Sequence, residues 1–328
     1  MIEDISIPEP GPFDVVIGVT NAGICHSDIH AIEGTIQAKL PVTLGHEVAG
    51  KITKLGGQAK GSKEGDYVVV YFPNPCNECL RCLKGDTMNC ININRRPIYG
   101  FGEDGGFSEY MLVDSRRLVR APAEVSPEFA ASLGCAGLTA QHALESAEVS
   151  PADTVVIYGA GGVGMYATQL AKLRGATVIA VGRNSLRLEL ARSLGADITL
   201  SPSQDALAKE IRSQTEGRGA DAVLDFVVNE ESFQNSVRQL RNGGKYVIVG
   251  VSTSKLQFNA GVAVAKQTKI IGSNSGTKSE LSTLLELGRR GALRSVVTDT
   301  FQLTDVNDAL DSLRAGRIRG RATLRVSA

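Results

Sequence analysis

The sequence predicts a two-domain α/β chain in which a mostly antiparallel β unit is interrupted by a doubly wound parallel sheet. Three observations carry that prediction. The chain has 328 residues, more than one hydrophobic core ordinarily supports. Near Pro151 its rhythm changes from short β-branched runs, broken by Gly, Pro and Asn, to strands alternating with amphipathic helical stretches. At that change a GxGxxG run follows a strand directly.

The first domain is expected over 1–140. Val15 to Val19, Val48 to Leu55 and Tyr67 to Phe72 are alternating, β-branched and bounded by turn residues, as strands of a barrel-like unit are. Within it, 73–92 is a lobe rich in turn formers (Pro73-Asn74-Pro75, Lys84-Gly85-Asp86) that carries four cysteines. The second domain is expected over 141–272, with strands Thr154 to Tyr158, Thr177 to Val181, Asp197 to Leu200, Ala222 to Phe226, Lys245 to Val249 and Lys269 to Gly272. Helical stretches such as Leu186 to Leu194 and Ala206 to Thr215 lie between most of them. Residues 273–328, with helix-like Ser279 to Gly288 and the apolar pair Val296-Val297, fall outside that alternation and are expected to return to the first domain. No repeat, low-complexity tract or charge block is visible.

Composition narrows the partners. Lys plus Arg total 35 and Asp plus Glu total 35, so the net charge is zero and offers no global field for nucleic acid or an anionic membrane. Small molecules are the expected partners. Met1-Ile2-Glu3-Asp4 lacks the basic and apolar segments of a signal peptide, and no apolar run is long enough to span a bilayer, so a cytoplasmic location is expected. In that reducing compartment clustered cysteines bind metal rather than pair as disulfides. Hydrophobic residues make up 42% and the 36 glycines form no continuous run, which fits an ordered globular protein with many tight turns.

The strand Thr154 to Tyr158 runs into Gly159-Ala160-Gly161-Gly162-Val163-Gly164, and a helical pattern from Met165 to Arg174 follows. Gly159 would allow the tight turn, Gly161 would let the backbone approach a pyrophosphate, and Gly164 would let helix and strand pack closely, with the helix amino terminus facing the anion. The second strand ends in Val181-Gly182-Arg183-Asn184, with Arg187 following, where an NAD site would place a carboxylate. Glycine leaves room for a 2′-phosphate and guanidinium groups pair with it, so NADP(H) is expected over NAD(H).

Cys76, Cys79, Cys82 and Cys90 form a CxxCxxCx7C pattern. The final gap is too long for the bacterial ferredoxin run and no proline follows Cys90, so tetrahedral zinc is preferred to an iron–sulfur cluster. Four thiolates leave no open position, which gives the site a structural role. Cys25 and Cys135 remain, in Gly23-Ile24-Cys25-His26-Ser27-Asp28-Ile29-His30 and Gly134-Cys135-Ala136-Gly137, alongside Gly45-His46-Glu47. Two thiolates and one imidazole leave a coordination position for chemistry.

CHSDIH, GHE, the four-cysteine lobe, LGCAGLTA and GAGGVG occur in this order over nearly the whole chain, and in this it resembles the zinc-dependent medium-chain alcohol dehydrogenases. The resemblance implies a GroES-like catalytic domain interrupted by a Rossmann domain, two zinc ions per chain, and hydride transfer between an alcohol and NAD(P). It implies that Cys25, His46 and Cys135 bind the catalytic zinc, that Glu47 is a carboxylate near the metal and that Asp28 orients His46. It places Thr139 and Val251 beside the nicotinamide, Arg321 at the pyrophosphate, and Phe72 and Phe101 in the substrate pocket. Ser27 and His30 are then expected to form a proton relay, with the cofactor ribose between them and His30 handing the proton to solvent.

The apolar pocket candidates favour medium-length primary and secondary alcohols. Polyol or threonine-type oxidation, and a non-catalytic nucleotide-binding redox sensor, are the alternatives. A zinc-independent quinone reductase of the wider superfamily would lack Cys25, His46 and Cys135. The family's opening strand pair is expected to be cut short here, since only Ile2 to Ile7 precedes Pro8-Glu9-Pro10-Gly11. A homodimer or homotetramer is expected from the resemblance.

Overall fold

The structure, a computed structural model, describes residues 2–202 and 204–326. It divides into two compact units. One runs to Leu138 and resumes at Gly276; the other is Thr139–Ser275. The sequence boundaries after 140 and 272 fall two and three residues away from these.

The first unit is built on one long strand. β1 (Asp14–Ile24) pairs antiparallel with β2 (Glu47–Leu55) and with β4 (Tyr110–Asp114); β3 (Tyr67–Val70) joins β2 to β5 (Leu118–Arg120), again antiparallel. Val15, Ile17 and Val19, alternate residues of β1, point into one core with Val48, Ile52, Val68, Val70 and Val113. Cys25, Phe72 and Cys135 belong to the same core. The helices of this stretch are α1 (His26–Ile32), the single-turn α2 (Leu80–Leu83) and α3 (Pro127–Ser132), which Ser126 caps by accepting from Phe129 N at 3.4 Å.

α4 (Leu138–Ser146) leads into the second unit, a six-stranded parallel sheet in the order β11-β10-β9-β6-β7-β8. Its strands are β6 (Thr154–Tyr158), β7 (Thr177–Val181), β8 (Ile198–Leu200), β9 (Ala220–Asp225), β10 (Leu240–Ile248) and β11 (Lys269–Gly272). α5 (Gly162–Leu173), α6 (Ser185–Ser193), α7 (Gln204–Gln214), α8 (Glu230–Val237) and α9 (Ala260–Lys266) make the crossovers. The strand order reverses between β6 and β9, the place where open α/β sheets bind ligands. β6 is buried at every position because both faces of the sheet are covered.

Several boundaries differ from the sequence reading, among them three at glycines or beside Phe72. β10 begins at Leu240 rather than Lys245, because Gly243-Gly244 forms an irregularity inside the strand and not its start. α5 starts at Gly162, within the glycine run. β3 stops at Val70, which leaves Phe72 in irregular backbone.

The chain end rejoins the first unit. α10 (Lys278–Arg289) is followed by β12 (Val297–Gln302), α11 (Val306–Arg314) and β13 (Arg321–Arg325). β13 pairs antiparallel with β1, setting Thr323 opposite Gly23 and Ala322 opposite Ile24. That register carries Arg321 to the end of β1 where Cys25 follows. Among the described residues no helix is long and apolar enough to cross a membrane.

Candidate active site

Cys25 leaves the end of β1 and becomes the amino-terminal cap of α1. Its backbone N–H donates to Asp28 Oδ2 at 2.8 Å, and Asp28 Oδ1 stands 3.2 Å from His46 Nδ1. One buried carboxylate thus fixes a helix start and an imidazole together. With Nδ1 held as the donor, Nε2 keeps its lone pair for a metal. His46 immediately precedes β2, and Cys135 lies in a π-helical turn (Leu133–Gly137) between α3 and α4, a distortion that helices use at functional sites.

The ligand atoms of Cys25, His46, Glu47 and Cys135 all lie within 4.8 Å of one another, and all four residues are buried. Tetrahedral zinc with thiolates at about 2.3 Å and imidazole at about 2.0 Å would place its ligand atoms about 3.5–3.8 Å apart, so the cluster fits such an ion.

Electrostatics prepare the cluster for a cation. The Cys25 thiol is held well below its ordinary value, first by its neighbour Cys135 and against the effect of burial, with Arg321 and His46 assisting. Burial works against an imidazolium at His46, yet the Asp28 carboxylate and Cys25 outweigh it and raise the pKa to about 9. Zinc would have to displace that proton.

Glu47 is wholly buried and accepts from Arg321 Nε at 3.2 Å in an ion pair. The sequence reading gave Arg321 to the pyrophosphate and missed this partner, which the register of β13 against β1 supplies. It also missed Gly23. A Cβ there would come within 2.2 Å of Glu47 Oε2, so only glycine leaves room for the buried carboxylate.

Ser27 and His30 sit three residues apart on α1 and so share a helix face. Ser27 Oγ is 3.6 Å from Cys25 Sγ, and His30 Nδ1 is buried with no hydrogen-bond partner among the described residues. The Phe72 and Phe101 rings each have their centroid 5.1 Å from that of His46. Thr139 and Val251 belong to the other unit, where Val251 is half exposed in the segment after β10.

In the lobe, sulfur–sulfur distances of 3.5 Å (Cys76–Cys90), 3.9 Å (Cys76–Cys82) and 4.0 Å (Cys79–Cys90) bracket the edge of about 3.8 Å expected of a tetrahedral zinc–thiolate site. None of these cysteines forms a disulfide. Backbone N–H groups of Cys76 and Cys79 donate to Cys90 Sγ and Cys76 Sγ. The N–H of Glu78 leads in lowering Cys76 to about 6, whereas burial and the adjacent thiols push Cys82 up to about 12. Four thiolates at this spacing repel one another, and a divalent cation is what would let all four ionise. Arg96 ties the lobe's ends together: it donates Nε to Asn74 O at 3.0 Å, while Asn74 donates to Pro97 O at 2.9 Å.

The glycine run has the form a dinucleotide needs. Gly159 adopts a φ of 110° at the tight turn, and a Cβ on Gly164 would approach Gly159 O to 2.0 Å. A Cβ on Gly161 would meet nothing within 4 Å, so that side is open to a ligand. No side chain caps α5 among the described residues, which leaves its first N–H groups for an anion. At the end of β7, Arg183 is exposed and Arg187 half-buried, with burial drawing its pKa down. Asn184 caps α6 by accepting from Arg187 N at 3.2 Å.

Residues 11–123 match the family described as alcohol dehydrogenase GroES-like domain, and residues 162–290 the family described as zinc-binding dehydrogenase. The NAD-dependent alcohol dehydrogenase of Sulfurisphaera tokodaii is 35% identical over 335 residues, spanning 98% of this chain and 95% of the relative. This chain belongs to the zinc-dependent alcohol dehydrogenase family. Among solved structures, the dehydrogenase resembles the alcohol dehydrogenase of Aeropyrum pernix with a TM-score of 0.90 at 34% identity, covering 99% of this chain and 96% of that one. It is also 34% identical to the D-arabinose 1-dehydrogenase (NADP(+)) of Saccharolobus solfataricus, over 98% of this chain and 93% of the relative.

Proposed function

We propose that this dehydrogenase interconverts medium-length primary and secondary alcohols with their aldehydes and ketones, using NADP(H) in preference to NAD(H). The observation that carries the reading is the buried convergence of Cys25, His46 and Cys135, with Asp28 behind the imidazole. Zinc held by those three residues would supply a Lewis acid for the alcohol oxygen, and the nicotinamide ring would take the hydride. Ser27 Oγ accepts the hydroxyl proton, and His30, one helical turn further on, releases it to solvent; a bound cofactor would supply ribose hydroxyls able to relay that proton. Asp28 keeps His46 in the tautomer that presents Nε2. Glu47 stands as a buried carboxylate beside that donor set, its charge balanced by Arg321.

The cofactor preference rests on Gly182-Arg183-Asn184 and Arg187, a strand end with two guanidinium groups and no carboxylate. Cys76, Cys79, Cys82 and Cys90 hold a second, structural zinc in this reading. A reducing cytoplasm keeps the six thiols available for metal, and a homodimer or homotetramer fits the family.

Turnover of a panel of alcohols and polyols, followed by NAD(P)H absorbance with each cofactor, tests the proposal. Medium-length alcohols with NADP+ should give the highest kcat/KM, and Ser27→Ala should lower kcat by about two orders of magnitude with zinc retained. Preference for a polyol or sugar would favour the relationship to D-arabinose 1-dehydrogenase, and absence of turnover would favour a nucleotide-binding sensor.

A further inference from the structure

We propose that Arg117 is a positioning residue that fixes the two aromatic side chains flanking His46 and thereby sets which alcohols the enzyme accepts. The inference rests on the reading of Phe72 and Phe101 as walls of the substrate pocket. Arg117 ends the 3-10 turn Ser115–Arg117 between β4 and β5 and is only 5% exposed. In sequence it is the second of two adjacent arginines in a turn, and nothing there distinguishes it from its exposed neighbour Arg116.

Its guanidinium reaches two segments far apart in the chain. One N–H donates to the backbone O of Phe72, and the other terminal nitrogen donates to Glu103 Oε2 at 2.6 Å. The guanidinium carbon lies 3.5 Å from the centroid of the Tyr99 ring, a close cation–π contact. The Arg117 backbone O accepts from Tyr71 N at 2.8 Å, so the residue grips the Phe72 segment from both its ends.

Tyr99 and Glu103 bracket the turn that carries Phe101, which is closed by Gly100 N donating to Glu103 O at 2.8 Å. Phe72 has no strand partner to hold it, since β3 ends at Val70. Phe101 sits at the tip of its turn. One buried cation therefore sets the spacing of two rings that each lie 5.1 Å from His46.

Arginine suits this role because its planar fork makes several hydrogen bonds in fixed directions while its face stacks on a ring. Lysine keeps the charge but is a point donor that cannot reproduce the fork. A wall shifted by about 1 Å is enough to alter rates strongly, and the effect should grow with the size of the alcohol.

The test uses the full-length, zinc-loaded enzyme with one small primary alcohol and one bulky aryl secondary alcohol. Native protein, Arg117→Lys, Glu103→Gln and Phe101→Ala are compared for kcat, KM, cofactor KM, zinc content and Tm. Arg117→Lys should change the bulky-to-small ratio of kcat/KM by about tenfold or more, mainly through the KM of the bulky alcohol. Cofactor KM and zinc content should be unchanged, and Glu103→Gln should shift the ratio the same way but less.

If Phe101→Ala moves the ratio and neither Arg117→Lys nor Glu103→Gln does, whatever their Tm, Arg117 is merely structural and the inference is overturned. If Phe101→Ala leaves the ratio unchanged as well, the pocket reading beneath it fails. Should Arg117→Lys not fold, Glu103→Gln decides by the same ratio.

Discussion

Replacing Asp28 by asparagine removes one charge and turns one acceptor into a donor, in a place where both carboxylate oxygens are in use. Oδ2 accepts from Cys25 N at 2.8 Å, Oδ1 faces His46 Nδ1 at 3.2 Å, and the residue is wholly buried. The amide can satisfy one partner only. If its oxygen stays on the Cys25 N–H, its NH2 faces His46 Nδ1 and favours the tautomer that protonates Nε2, the nitrogen a metal needs. If it turns over, the Cys25 N–H is left without an acceptor.

Losing one hydrogen bond to a charged group costs about 1.5–3 kcal/mol, and each 1.4 kcal/mol is about tenfold in affinity. The catalytic zinc should therefore bind about 10- to 100-fold more weakly, with the four-cysteine site unaffected. Competition against a chromophoric chelator reads the affinity, and kcat at saturating zinc reads the geometry. An Asp28→Asn enzyme that kept both zinc ions with native affinity and native turnover would refute the argument that this carboxylate orients the imidazole.

Four further outcomes follow from the same geometry. If the lobe holds the proposed structural zinc, Cys90→Ser should remove that ion and lower Tm by on the order of 10 °C, read by elemental analysis and calorimetry, because the Arg96 and Asn74 contacts at the lobe's ends are then left to hold it. Zinc-free protein should bind catalytic zinc more tightly as pH rises, by at least about tenfold per unit below pH 9, since His46, raised from 6.5 to about 9, must lose its proton and the Cys135 thiol that supports the Cys25 thiolate must lose its own. By the same shift the imidazolium stabilises the metal-free protein fully below pH 6.5, and that contribution disappears as pH rises through about 9; calorimetry across that range reads it. Gly23→Ala should destabilise the protein by about 1–3 kcal/mol in denaturant unfolding, because its Cβ would overlap Glu47 Oε2.

Much of the second unit was legible because the buried hydrophobic runs of its central strands β6, β7 and β9 stand out; β6 and β7 have the limits the residues suggested, and so does β11, although that edge strand is largely exposed. The start of β10 was hidden, since Gly243-Gly244 signals a turn and only the neighbouring strands show that the backbone continues through it. At the site, thiol and imidazole chemistry identified the ligand types, but their convergence depends on features with no local signature. A π-helical turn presents Cys135, a cysteine caps α1, and a strand from the far end of the chain brings Arg321 to Glu47. Arg117 was invisible for the same reason, because its contacts join residues 14 and 45 positions away in the chain.

If Cys25, His46 and Cys135 gather on one ion, zinc K-edge absorption on Cys90→Ser protein, where only that ion should remain, reads its ligands. Two sulfur scatterers at about 2.3 Å and two nitrogen or oxygen scatterers at about 2.0–2.2 Å are expected. A shell of four sulfurs, or a protein that retains no zinc at all, would contradict that gathering.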